Sequence, residues 1–134
     1  MLTGLLHAHS GLRYLVLVVG VLALAWAVIG HIRGVPYDRT MRGLASAFAG
    51  LLHFQVLLGF ILIVTGRFYP ALIGHIFLML GAAAAAQVPL SVFRRRPPEK
   101  RTYLPHVISI LAALGLVWAG VAAIGRGILE SQVF

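Results

Sequence analysis

Apolar residues run almost unbroken through four stretches of the chain, and polar residues gather in three short knots between them. The first stretch begins at Leu5 or Leu12 and ends at Ile32, and the second covers Gly43 to Val64. The third covers Ala71 to Phe93 and the fourth Leu104 to Ile124. Each reaches the length of about 20 residues that crosses a hydrocarbon core about 30 Å thick. The knots are Arg33-Gly34-Val35-Pro36-Tyr37-Asp38-Arg39, Gly66-Arg67-Phe68-Tyr69-Pro70 and Arg94-Arg95-Arg96-Pro97-Pro98-Glu99-Lys100-Arg101. They are too short to hold a second domain, and such short connections make each helix antiparallel to the one before. The pattern predicts one all-α domain over residues 1–134, an integral membrane up-and-down four-helix bundle.

Composition removes the soluble alternatives. Of 134 residues 60% are hydrophobic and 10% charged, whereas an ordinary soluble domain carries about 25% charged residues. The mean hydropathy of +0.97 agrees. The chain has no cysteine, which excludes a disulfide scaffold, thiol chemistry and cysteine-held iron–sulfur clusters.

The net charge of +8 would suit a nucleic acid only if the cations lined one exposed face. They lie between apolar runs instead, so nucleic acid is excluded as a partner and membrane lipid takes its place. One side collects Arg33, Arg39, Arg42, Arg94, Arg95, Arg96, Lys100 and Arg101, and the other only Arg13, Arg67 and Arg126. The excess of basic residues on cytoplasmic loops predicts that the first and third connections are cytoplasmic and both termini outside. Ala23, Ala25 and Ala27 offer small-residue cleavage patterns, but the first apolar run is longer than the roughly 7 to 15 residues of a signal peptide.

The acids Asp38, Glu99 and Glu130 all fall in loops or the tail. Without a carboxylate in any span, paired-carboxylate hydrolysis, an acidic proton relay and a carboxylate cation site are excluded. Ser10, Ser46, Ser91, Ser109 and Ser131 have no acid to orient a histidine beside them, which argues against a serine nucleophile. Histidine remains, six in all. His7 and His31 fall near the ends of the first span. The other four are spread one per helix, at His9, His53, His75 and His106, and a polar side chain inside a bilayer by default marks function.

At 1.5 Å rise per residue, His75 lies roughly 8 Å inside the outer edge and His106 at a similar depth inside the inner edge. His9 falls on the outer side with His75, and His53 near the midplane. Small residues share their helix faces: Ser46, Ala49 and Gly50 beside His53, Ala71 and Ala82 beside His75, Ser109 and Ala113 beside His106. Such faces give the clearance a flat macrocycle needs between helices, with an imidazole from each side for its iron. A lone intramembrane histidine commonly bonds a neighbouring helix's carbonyl instead; one per helix shifts the balance toward haem. Zinc or copper fits less well, since metal-binding histidines often lie three to five residues apart and only His7 and His9 are near one another. Arg13 stands one turn after His9, placed either to snorkel to headgroups or to neutralise haem propionates. Gln55 and Gln87 suit interhelical hydrogen bonds.

Three segments carry a resemblance: His7-Ala8-His9-Ser10-Gly11-Leu12-Arg13-Tyr14, His53-Phe54-Gln55 with Gly59, and Gly74-His75. In them the chain resembles small bacterial four-helix membrane proteins labelled cytochrome b, a likeness that runs through the third helix and leaves His106 outside its pattern. The architecture is also similar to dihaem transmembrane cytochromes b of the ascorbate-reductase type, which pair histidines from diagonal helices near each membrane face. That resemblance implies one haem b or two, ligated by His9 with His75 and by His53 with His106. The second pair differs in depth by roughly 9 Å, so a single haem using His53 with His75 or His9 competes with it. The resemblance implies a multi-pass electron-transfer protein, or a subunit of an oxidoreductase, in the bacterial inner membrane. It would pass electrons from a quinol or another membrane donor to a partner redox protein. The alternative is a haem-free accessory or assembly subunit of a larger respiratory or photosynthetic complex, and a small carrier or channel fits less well. A homodimer suits so small a bundle, although no strict Gly-x-x-x-Gly motif marks a face.

Overall fold

The computed structural model describes residues 2–66, 70 and 72–122, and over them the ordered elements are helical. Helix α1 spans Leu2–Arg33, α2 Arg39–Val64, α3 Leu72–Arg94 and α4 Leu104–Ala122, with one 3-10 turn at Pro98–Lys100 before α4. All four are long and apolar enough to cross a membrane, which makes the chain a multi-pass membrane protein in architecture. Arg67, Ala71, Arg126, Glu130, Ser131 and the expected end of the fourth span at Ile124 lie outside the described residues.

Two helix ends fall beyond the apolar runs, for local reasons. Helix α2 starts at Arg39 rather than Gly43 because Asp38, with extended backbone, accepts the Met41 amide at 2.9 Å as its N-cap. The same carboxylate accepts Trp26 Nε1 at 3.1 Å, tying the start of α2 to α1. Helix α1 closes at Gly34, whose φ of +64° favours glycine; its amide bonds back to the Gly30 and His31 carbonyls. Pro89 sits inside α3, where its missing N–H frees the Ala85 carbonyl, a break that buried membrane helices tolerate.

The packing divides the bundle into two hairpins. Helix α1 packs most extensively on α2, and α3 on α4, while the seams between α2 and α3 and between α1 and α4 are thinner. Helices α1 and α3 therefore stand diagonally, as do α2 and α4. The buried core is rich in alanine, with Ala23, Ala27, Ala45, Ala82, Ala86 and Ala113 all nearly inaccessible, and small residues let membrane helices approach closely. Val18, Leu22, Phe60, Phe77 and Trp118 point outward, where lipid is their natural neighbour.

At the end that carries the long connections, the basic end, an aromatic cluster closes the bundle. Tyr37 from the first connection packs against Phe93, Tyr103 and His106, and the Tyr103 hydroxyl donates to the Pro36 carbonyl at 3.0 Å. Gly30 underlies this ring: a Cβ there would lie 2.7 Å from Tyr103 Cε1. Because Tyr103 is held at both its ring and its hydroxyl, Gly30→Ala is expected to destabilise the fold by about 1–3 kcal/mol. Equilibrium unfolding in mixed micelles checks this, and a neutral substitution would show that the ring yields.

Candidate functional site

Toward the opposite, far end of the bundle, all four helices contribute to one small cavity. His9, Ser10 and Arg13 line it from α1, Gln55 from α2, His75 and Met79 from α3, and Val117 and Val121 from α4. His9 and His75 thus belong to diagonal helices and to opposite hairpins.

The His75 ring is fixed by the backbone of α4. Its Nδ1 lies 2.7 Å from the Gly120 carbonyl oxygen. A carbonyl can only accept, so Nδ1 carries a proton, and in the neutral ring Nε2 then keeps a bare lone pair. A carbonyl on one ring nitrogen that sets the tautomer of the other is the usual support of a histidine metal ligand. Gly120 also gives the ring its room, since a Cβ there would run into Met79 Cε and stand 3.6 Å from His75 Nδ1.

His9 is held through its main chain, whose carbonyl accepts Gln55 Nε2 at 2.6 Å. Its buried Nδ1 has no hydrogen-bond partner among the described residues. Gly59 lets α2 come close, because a Cβ there would sit 3.3 Å from His9 Cε1. Arg13, 4% exposed, does not reach out to the surface. Its Nη2 donates to the Tyr14 hydroxyl at 3.1 Å, and its guanidinium lies over the Tyr14 ring.

The other two span histidines lie elsewhere, and the expected pairing of His53 with His106 is not assembled. His53 is exposed on the outer face of α2, with Nε2 3.0 Å from Gln87 Oε1 of α3; Gln87 Nε2 in turn donates to Ser91 Oγ at 3.1 Å. Helical geometry gives the reason: Gln55 takes the inward face, and two residues away the helix has turned by about 200°, to the far side. His106 is wholly buried in the aromatic cluster at the basic end. Its Nε2 lies 2.7 Å from the Tyr37 hydroxyl, its ring stacks on Tyr37 at 5.5 Å, and the Phe93 ring meets it edge-on at 5.3 Å. Burial raises the Tyr37 phenol above its ordinary pKa of 10.0, which keeps it protonated. His7 and His31 are exposed.

Among the described residues no three histidines or acids gather as a site for a bare metal ion. Comparison with protein-family models, curated proteins and solved structures finds no match to this chain. The site's chemistry therefore rests on its own residues: two imidazoles facing one space from opposite hairpins, one oriented through its second nitrogen, with a buried guanidinium one turn away.

These donors suit haem. Bis-histidine ligation needs an imidazole on each side of a flat ring, and here the two sides are the two hairpins. The cavity of about 20 Å³ has room for about one water. That space is far too small for a porphyrin as it stands, and a haem between these rings would need the two hairpins to move apart.

Proposed function

We propose that this protein is a membrane-embedded b-type cytochrome that holds one haem b between its two hairpins, with His75 and His9 as the axial pair. The observation that carries the reading is the Gly120 carbonyl on His75 Nδ1, which leaves Nε2 as a lone-pair donor beside the space shared with His9. Haem supplies reversible one-electron chemistry; the protein supplies ligands, orientation and a dry setting. Gly120 orients His75, and Gln55 anchors the backbone of His9. Arg13 offers its guanidinium to the propionates, which suit a planar fork of donors. His53 and His106, occupied by Gln87 and Tyr37, are not ligands in this reading, which therefore takes one haem of the one or two expected. The protein moves electrons from a quinol or another membrane donor to a partner redox protein, alone or as a subunit of an oxidoreductase. It does so in the bacterial inner membrane, with the basic end in the cytoplasm and both termini outside, in line with the excess of cations on cytoplasmic loops.

A second reading, a haem-free accessory subunit of a larger respiratory or photosynthetic complex, is favoured by one observation: His106 serves the fold, closing an aromatic cluster through Tyr37. Absorption spectra separate the two. Membranes from haem-replete cells making the protein are expected to show sharp low-spin haem b bands on reduction with dithionite. Purified protein with no haem and no iron would support the accessory subunit instead.

A further inference from the structure

The polar cluster His53–Gln87–Ser91 lies outside the cavity, on the outward face of α2 and α3. Exposed polar groups within spans are costly, and these sit well inside: Gln87 is seven residues from the α3 end at Arg94, roughly 10 Å along the axis. His53 is eleven residues from the α2 end at Val64. Around them the surface is open and apolar. A Cβ built on Gly50, one turn from His53, meets nothing within 4 Å, and Phe54, Leu57 and Val88 are each at least half exposed.

The hydrogen bonds within the cluster fix what it offers outward. Gln87 Oε1 accepts, so His53 Nε2 carries a hydrogen, and the ring with its single proton there presents Nδ1 as an acceptor. Gln87 Nε2 uses one hydrogen on Ser91 and keeps a second, and Ser91 carries its own hydroxyl hydrogen. One acceptor and two donors therefore stand side by side where acyl chains can pair with neither.

We propose that this cluster binds the headgroup of a membrane quinol. The chemistry recognises both states of the ring: a quinol hydroxyl donates to His53 Nδ1, and a quinone carbonyl accepts from Gln87 or Ser91. Gly50 leaves the surface flat beside them. Gln55, two residues on, borders the cavity from the other side of α2, so the headgroup docks one helix thickness, about 10 Å, from the proposed haem. The inference rests on the cytochrome reading, for which it names the donor's place.

The test uses the full chain in phosphatidylcholine nanodiscs, titrated with decylubiquinone and, separately, with a short-chain menaquinone. Binding to at least one is expected to saturate, and His53→Leu and Gln87→Leu are each expected to weaken it by about tenfold. A photoreactive azidoquinone should label α2 and α3 around these residues, and the haem spectrum should be unchanged. Unchanged affinity in both variants, or no saturable binding by the wild type, would overturn the proposal. So would conversion of a dimer to monomers by these substitutions with quinone affinity intact, which would assign the face to a second copy. Quinone binding by a protein without haem bands contradicts the cytochrome reading alone; haem bands without quinone binding contradict this site alone.

Discussion

His75→Ala is expected to remove essentially all the low-spin haem b absorbance of the reduced protein, and His9→Ala to remove the low-spin bands while leaving some high-spin haem. The asymmetry follows from how each ring is held. His75 is oriented by the Gly120 carbonyl at 2.7 Å, and ligands supported in this way typically owe such partners about 10- to 100-fold in metal affinity. With His9 gone, His75 would still offer its Nε2 to the iron. With His75 gone, the remaining His9 ring has no partner on its buried Nδ1 among the described residues to orient it. His53→Ala and His106→Ala should keep the low-spin bands, because neither ring faces the cavity. Spectra of the four variants in one membrane preparation check this. Loss of the bands in His53→Ala with retention in His75→Ala would invert the ligand assignment.

The second large effect is expected on stability. His106 is wholly buried, stacked on Tyr37 and flanked by Phe93, so His106→Ala removes a core ring, leaves a cavity and loses the bond to the Tyr37 hydroxyl. Substitutions of this size cost about 3–5 kcal/mol. His106→Phe restores the ring but not the hydrogen bond to the half-buried Tyr37 hydroxyl, and should cost about 1 kcal/mol, the usual worth of one such bond. Equilibrium unfolding in mixed micelles gives both numbers, and haem content per folded chain should match the wild type. A His106→Ala protein as stable as wild type would show that Tyr37 is not pinned by this ring.

The four helices were legible from apolar run length alone, because a hydrocarbon core sets a minimum span that few other structures require. Their ends were less so: Asp38 starts α2 four residues before the apolar run by capping the Met41 amide, and a cap is chosen by geometry that hydropathy does not register. The relative level of two histidines along the bundle was readable too. Counting residues put His9 level with His75, and both border one cavity.

Facing was not readable. In lipid the outside of a helix is as apolar as the inside, so the small residues around His53 do not reveal that it points outward; Ala49 beside it is buried while Ser46 and Gly50 are exposed. The signal available was Gln55: two polar residues two positions apart cannot share a helix face, so one of them had to turn away. The setting of His106 was not legible either, since its partner Tyr37 comes from a loop 69 residues earlier, a contact no helical spacing announces. Gly120 went unnoticed as the support of His75 because its contribution is a backbone carbonyl, which every residue has.

One haem shared by His9 and His75 fixes the stoichiometry of the protein. Its most direct test is the ratio of haem to polypeptide, from the pyridine haemochrome of protein purified from haem-replete cells, for wild type and for His53→Leu combined with His106→Phe. One haem b per chain is expected in both. Two haems per chain in the wild type falling to one in the double variant, or no haem in either, would contradict it.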